Sequence, residues 1–313
     1  MPDWKILITD GLEENGLSIL RAAGRIDERT GIPPEELTQI VCEYEALIVR
    51  SRTKVTAELF RLGAQLRVVG RAGVGMDNID LAAANLHAVT VVNTPLATTQ
   101  AVAEHTLALM FALARAIPSA DAGLKSGLWL KKDLLGVEIN GKVLGVIGMG
   151  NIGSSVARKA TALGMTVLGY DSLMAADEIR LRSAKPVTLQ HLCAQSDFIS
   201  LHVPLSPETR GMINGQALGS MKRGVRLVCA ARGGVIDETA LLGALESGQV
   251  AGAALDAFAK EPPGMAALVT HPHVVATPHI GAQTAEAQDR AAVDIATEVL
   301  AALRGEPLRW RVV

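Results

Sequence analysis

Arg232, Glu261 and His279 are far apart in the chain, yet each stands in a short segment that follows an apolar, strand-like run. The segments are Ala231-Arg232-Gly233-Gly234, Asp256-Ala257-Phe258-Ala259-Lys260-Glu261-Pro262 and Thr277-Pro278-His279-Ile280-Gly281. In open α/β sheets the carboxyl ends of strands point into the ligand crevice, so these three side chains form a usable acid–base set. A histidine exchanges a proton near neutral pH, and a neighbouring carboxylate favours its charged form and fixes its tautomer. A guanidinium grips a carboxylate through two hydrogen bonds and polarises the adjacent carbonyl. Reduction of a 2-keto acid by hydride needs this equipment: a proton for the new hydroxyl and a cation for the acid group.

A place for the hydride carrier is also legible. Gly148-Met149-Gly150-Asn151-Ile152-Gly153 follows the apolar run KVLGVI and opens a helical stretch. The first glycine permits a tight turn, the second lets the backbone approach a pyrophosphate, and the third allows helix to pack on strand. The helix N-terminus then offers free N–H groups and partial positive charge to the phosphates. Met149 reads as an exposed filler of this loop. About twenty residues beyond the last glycine, the next strand closes with Tyr170-Asp171, where an acidic side chain accepts the adenosine ribose hydroxyls and repels a 2′-phosphate. No arginine follows at once, Arg180 and Arg182 lying further on, so the expected cofactor is NAD rather than NADP. Asp171 also reads as the N-cap of the next helix.

The elements that must position these residues alternate in type. Candidate strands fall at Lys5–Thr9, Ala46–Val49, Arg67–Gly70 and Val89–Asn93, with helices near Glu13–Ala23, Pro33–Val41 and Thr56–Leu62. A second series has strands at Val143–Ile147, Thr166–Tyr170, Phe198–His202, Arg226–Cys229, Ala251–Leu255 and Val274–Ala276. Its helices fall at Ile152–Leu163, Leu189–Gln195 and Glu238–Glu246. Runs such as VLGVIG and RLVCAA are continuously apolar, as strands buried on both faces of a parallel sheet must be. Two Ala-rich helices, Thr98–Ile117 and Thr284–Leu303, flank the second series, the latter returning the chain to the first sheet. The expected fold class is therefore α/β, with two doubly wound parallel-sheet domains. A Rossmann-type cofactor domain, 98–284, is inserted in a flavodoxin-like substrate domain, 1–97 plus 285–313, with the active site between them.

Composition narrows the function classes. With 49% hydrophobic and 20% charged residues the 313-residue chain has ample apolar surface to bury. A formal net charge of -2 carries no basic footprint for nucleic acid or an anionic membrane. Three scattered cysteines (Cys42, Cys193, Cys229) make neither a disulfide framework nor a metal cluster and fit a reducing compartment. The N-terminus lacks the long apolar core of a secretory signal, and the most apolar stretch, Ala101–Ala116, is interrupted by Glu104, His105 and Arg115. A cytoplasmic protein is expected, and no metal. His271 and His273 could be a ligand pair but have no third ligand at suitable spacing, so a loop role is preferred. His202 ends a strand and supports the pocket structurally, whereas His87, His105 and His191 have no chemical context.

The chain resembles the D-isomer-specific 2-hydroxyacid dehydrogenases over nearly its whole length, most closely those that act on 3-phosphoglycerate. The matching segments are VRSRTKVT (Val49–Thr56), GRAGVGMDNID (Gly70–Asp80), NTP (Asn93–Pro95), GMGNIG (Gly148–Gly153) and LHVPLSPET (Leu201–Thr209). ARGGVIDE (Ala231–Glu238), ALDAFAKEPP (Ala254–Pro263) and TPHIGAQT (Thr277–Thr284) complete them. The resemblance implies that Arg232 binds substrate, that His279 donates and accepts the proton, and that Glu261 pairs with His279. It places cofactor contacts on Gly148, Gly150, Asn151, Ile152, Gly153, Asp171, Val203, Ala230, Ala231, Arg232, Asp256, His279 and Gly281, with Val74 reaching over from the first domain. The GRAGVG loop, through Gly73, Val74 and Gly75, would hold the substrate carboxylate on its amides, as an anion-binding concavity does. Arg50 and Arg71 would bind the substrate's phosphate, and Lys131 stands where relatives bring a cation from a partner subunit.

Three departures accompany the resemblance. The ARGG segment is usually preceded by Asn, and here Cys229 stands in VCAARGG. The loop near Trp129 has Leu130-Lys131-Lys132 where the phosphoglycerate enzymes often carry Arg. Regulatory domains beyond the core are not expected, nor is feedback inhibition by serine through them. The implied activity is hydride transfer between NAD and C2 of a D-2-hydroxy acid, with 3-phosphoglycerate and 3-phosphohydroxypyruvate leading and a place in serine biosynthesis. Glyoxylate, hydroxypyruvate, other small acids and sulfonated ones are rivals. A non-enzymatic NAD-sensing module, like the corepressors that resemble this family, is the alternative of another class. A homodimer formed by the helix Thr98–Ile117 and the loop around Trp129 is expected, with a small anionic acid as the other partner.

Overall fold

The computed structural model describes residues 4–313. The chain divides into two compact units, one formed by Met1–Thr98 with Ala282–Val313 and the other by Thr99–Gly281. Both are parallel sheets covered by helices.

The first unit runs β1 (Trp4–Ile8), α1 (Glu14–Arg21), β2 (Gly24–Glu28), α2 (Pro34–Ile40), β3 (Ala46–Val49), α3 (Ala57–Leu62), β4 (Val68–Arg71), α4 (Leu81–Leu86) and β5 (Thr90–Asn93). Its strand order is β2-β1-β3-β4-β5, every ladder parallel. The sheet is covered on both faces. Ile6 and Ile8 join one core cluster with Ile295 and Val299 of the helix Ala285–Arg304, while Leu7 joins another with Val41 and Phe60. That alternation is why ILI in β1 is uninterruptedly apolar. β2 is an addition to the expected strands. Its sequence GRIDE is charged and half exposed, because it lies at the sheet edge and pairs only with β1. The helix α4 is a second addition, capped by Asp80, which accepts the amide of Ala83 at 2.9 Å.

At the opposite edge the last residues of the chain close β5. Val312 donates its amide to Val91 O at 2.8 Å, Val91 donates to Val313 O at 3.2 Å, and Val92 and Arg311 form an antiparallel bridge. The buried carboxylate of Glu298 accepts the amides of Arg309 and Trp310 at 3.0 and 3.1 Å, fixing the approach of that tail.

The second unit opens with α5 (Thr99–Arg115) and α6 (Ile117–Lys125). In place of the single expected helix over Thr98–Ile117, the first helix ends at Arg115. Ala116 takes φ 48°, and the two helices are bent by 65°. Pro118 falls in the first turn of the new helix, where its missing N–H costs no hydrogen bond. The series then runs β6 (Val143–Ile147), α7 (Asn151–Ala162), β7 (Thr166–Tyr170), α8 (Ala176–Leu181), β8 (Lys185–Pro186), α9 (Leu189–Gln195) and β9 (Phe198–Leu201). It closes with α10 (Gly215–Gly219), β10 (Val225–Cys229), α11 (Glu238–Glu246), β11 (Val250–Leu255), α12 (Ala267–Thr270) and β12 (Val274–Ala276). The two-residue β8 and the short α8, α10 and α12 are further additions; runs of four to six residues carry too little periodicity to register.

The strand order is β12-β11-β10-β9-β6-β7-β8, all parallel. β6 therefore has β7 on one side and β9 on the other, and the sheet's winding reverses at its carboxyl end. Neighbouring residues again serve opposite faces, Val146 packing with Val156 and Ala157 and Ile147 with Leu201 and Leu227. Among the described residues no single helix is long and apolar enough to cross a membrane.

Candidate active site

The carboxyl end of β6 carries Gly148 to Gly153. Gly148 has φ 90°, and a Cβ there would lie 2.6 Å from His202 O; a Cβ on Gly153 would lie 1.9 Å from Gly148 O. Both positions require glycine, for the turn and for the close packing of α7 on its strand. The space in front of Gly150 is open, and no side chain caps the N-terminus of α7. The leading amides of a twelve-residue helix therefore face outward unclaimed by a cap.

Asp171, just after β7, accepts the Met149 amide at 2.8 Å and the Leu173 amide at 2.9 Å. It does not cap α8, whose N-cap is Ala175, so the helix-cap reading of Asp171 is corrected. Met149 is fully buried against Val156 and Val167 rather than exposed. Its side chain points under the loop while its backbone faces Asp171. Arg182, remote in sequence, donates to Met149 O at 3.0 Å. The end of α8 thus brings a guanidinium onto the glycine loop, a proximity that linear distance concealed.

Three strand ends in the same unit carry the acid–base residues. His279 Nδ1 lies 2.9 and 3.0 Å from the two carboxylate oxygens of Glu261, and both side chains are close to half exposed. With Glu261 as acceptor, Nδ1 carries the hydrogen and Nε2 is left for a ligand. Glu261 Oε1 also receives the amide of Phe258 at 3.1 Å. Arg232 follows β10 and donates through Nη1 to Ala231 O at 2.7 Å. Cys229 lies 3.6 Å through Sγ from Arg232 O, so the residue in place of the usual Asn still fastens the arginine loop. Burial pushes the Cys229 thiol upward, keeping it protonated as a donor.

Asp256 is 1% exposed at the end of β11. It accepts Thr277 Oγ1 at 2.6 Å, Ile280 N at 2.9 Å and Gly281 N at 2.8 Å, and His105 Nε2 lies 3.4 Å away. Burial alone would raise its carboxyl; the bonds from His105, Thr277 and the two amides hold it below the usual carboxylate range. His105 therefore has a context that the sequence did not disclose: α5 carries it to this carboxylate. Val203 and Ala230 flank the same strand ends, Val203 packing against Gly148. His202 has both ring nitrogens sealed from solvent without a partner, and burial lowers its imidazole to about 4. Among the described residues no group of three or more His, Cys, Asp or Glu could hold a metal ion.

In the first unit the Gly70–Gly75 segment turns out of β4. Gly73 has φ 141°, and a Cβ there would meet Arg71 Nη1 at 1.7 Å, so the arginine lies flat across this glycine. The Val74 carbonyl accepts Asn93 Nδ2 at 2.9 Å and the Gly73 carbonyl accepts the Thr94 amide at 3.0 Å. The amides of Gly73, Val74 and Gly75 take no part in the backbone-to-backbone bonding of the described residues, which suits an anionic ligand. Arg50 follows β3; its guanidinium donates to Gly11 O at 3.2 Å and contacts Glu13 and Gln288. Any anion reaching Arg50 must share it with these groups. Lys131 is exposed in the second unit.

A parallel sheet that reverses above an uncapped glycine turn, with an acid closing the next strand, defines a dinucleotide-binding α/β protein. Comparison refines the class. The family model for the NAD binding domain of the D-isomer specific 2-hydroxyacid dehydrogenases matches residues 107–281. The chain belongs to that family, and its second unit carries the family's NAD-binding domain. It is 47% identical over 308 residues to D-3-phosphoglycerate dehydrogenase 2, chloroplastic, of Arabidopsis thaliana, covering 98% of this chain and 49% of that protein. The chain spans about half the length of the curated relatives it matches. Among solved structures, the TT0316 protein from Thermus thermophilus is 34% identical with a TM-score of 0.90, covering 99% and 100% of the two chains. A glyoxylate reductase from Paecilomyes thermophila is 31% identical with a TM-score of 0.91, covering 100% and 99%.

Proposed function

We propose that the protein catalyses reversible hydride transfer between NAD and C2 of a D-2-hydroxy acid, with 3-phosphoglycerate and 3-phosphohydroxypyruvate as the substrate pair. The observation that carries the reading is the His279–Glu261 pair, with Nδ1 held at 2.9 Å and Nε2 left available. When bound, the nicotinamide supplies or takes up the hydride. In reduction, Nε2 of His279 gives its proton to the carbonyl oxygen, Glu261 stabilises the imidazolium, and Arg232 binds the carboxylate. In the reverse direction His279 removes the hydroxyl proton. The outward amides of α7 receive the pyrophosphate and Asp171 the adenosine ribose.

The 47% identity to a protein named D-3-phosphoglycerate dehydrogenase 2 supports the phosphorylated substrate, as does the Arg71 guanidinium lying against Gly73. A second reading, reduction of glyoxylate or hydroxypyruvate, draws on the likeness to a glyoxylate reductase and on the engagement of Arg50 by Glu13. The protein is read as a cytoplasmic homodimer, associating through exposed apolar residues of the second unit such as Leu124, Leu128, Trp129 and Leu135.

Rates with NADH against a panel of 2-keto acids test the assignment. The expected order has 3-phosphohydroxypyruvate first; equal rates with hydroxypyruvate would remove the phosphate site. No turnover of any keto acid would favour an NAD-sensing scaffold. His279→Ala should lower kcat by about 10²–10⁴-fold while leaving NADH affinity nearly unchanged.

A further inference from the structure

His279 adopts φ 54°, a left-handed conformation that a non-glycine residue keeps only when its surroundings hold it. The holding groups are visible on both sides. Thr277, two residues before, donates its hydroxyl to Asp256 Oδ1, and the two amides that follow, Ile280 and Gly281, donate to Oδ1 and Oδ2 of the same carboxylate. One buried anion therefore spans the histidine with three bonds. The fourth group against it comes from another element. His105, on α5, places Nε2 3.4 Å from Asp256 Oδ1 and 3.3 Å from Thr277 Oγ1.

We propose that His105 is a positioning residue for His279, acting through Asp256. A carboxylate removed from water keeps its charge only if enough donors converge on it. The three loop donors fasten the segment to the end of β11 through Asp256 alone, so its seating depends on how firmly that carboxylate is itself held. His105 supplies a second anchor from another element, because it is carried by a seventeen-residue helix that packs on β11 and β12. Its Nε2–H completes the donor set around Oδ1 and ties both Asp256 and Thr277 to that helix. Gly281 rests on the same surface: a Cβ there would approach Asp256 Oδ2 to 3.0 Å, His105 Cδ2 to 3.6 Å and Val102 Cγ1 to 3.7 Å. The loop is thus seated on α5, and the aim of the His279 imidazole toward Glu261 follows from that seating. His105 has no context in the linear sequence because its partners lie more than a hundred residues away.

The catalytic part of this inference rests on the function proposed above, so the experiment has two arms. His105→Leu and His105→Gln are compared with the wild-type protein by steady-state kinetics with NADH and 3-phosphohydroxypyruvate, and by amide hydrogen exchange at Ile280 and Gly281. Leucine removes the donor, and kcat should fall about tenfold through misplacement of His279, with the KM for NADH changed by less than about twofold. The amides of Ile280 and Gly281 should exchange at least about tenfold faster. Glutamine, whose amide can donate from a similar reach, should restore both readouts. Unchanged exchange in His105→Leu would overturn the proposal, as would equal impairment in the two variants. A wild-type protein that turns over no keto acid would refute the functional reading, while the exchange arm would still decide the clamp.

Discussion

Glu261 Oε1 stands 3.0 Å from Nδ1 of His279 and at the same time receives the amide of Phe258 at 3.1 Å. The carboxylate is therefore oriented by its own loop before it orients the imidazole. Glu261→Gln preserves the shape and removes the charge. Its amide can meet Nδ1 with the wrong group, and the imidazolium loses its counter-charge. The expected outcome is a fall in kcat of about 10²-fold with NADH affinity kept, measured by single-turnover kinetics and fluorescence titration. A change confined to a rise in KM for NADH would show that Glu261 serves the cofactor instead.

Asp171 ties the Met149 amide to the end of β7 while Arg182 holds the carbonyl of the same residue. Asp171→Ala leaves that amide without its acceptor and removes the charge that repels a 2′-phosphate. NADH binding should weaken by about 1–3 kcal/mol, and the ratio of NADPH to NADH affinity should rise, with Arg182 left to meet the phosphate. Titration with both nucleotides reads the two effects. Equal loss for both would confine Asp171 to shaping the loop.

Glu13 and Gln288 both contact the guanidinium of Arg50. A substrate phosphate at Arg50 must compete with the Glu13 charge. In Glu13→Gln the KM for 3-phosphohydroxypyruvate should drop by a few fold, on the scale of about 1 kcal/mol for a partly exposed pair. The KM for hydroxypyruvate should stay as it was. A parallel change for both acids would take Arg50 out of phosphate recognition.

His202 is buried neutral, its imidazole lowered to about 4 by desolvation. The unfolded chain takes up a proton at this residue below about 6.5 and the folded chain does not until about 4. Stability is therefore intact above the unfolded value and lost as the pH falls through this window, by about 1.4 kcal/mol per pH unit at most. Thermal unfolding of His202→Asn should show a shallower loss across the same window than the wild type. Equal slopes would assign the acid sensitivity to carboxylates.

What is local or strongly patterned is legible in the sequence. β6, β7 and β12 fall at their expected bounds because apolar runs closed by glycine or polar residues leave little choice. The Gly148–Gly153 loop is readable for the same reason, Gly148 and Gly153 each answering a specific close approach. What escapes depends on distant partners. β2 is polar because an edge strand needs only one neighbour, and Met149 looks exposed because its loop is. His105 and Arg182 are ordinary helix residues until the winding of the sheet carries them to Asp256 and Met149. Arg50 is readable as a cation, whereas its engagement by Glu13 is not, since that pairing joins the ends of β1 and β3, neighbours in the sheet but not in the chain.

The tail that runs beside β5 shields the outermost rung of the five-stranded sheet. An open rung of that kind recruits strands from other molecules. Removing residues 310–313 would strip Val91 and Asn93 of their partners and take from the buried carboxylate of Glu298 one of its two amide donors. A protein trimmed there should precipitate on warming well before its catalytic groups are disturbed.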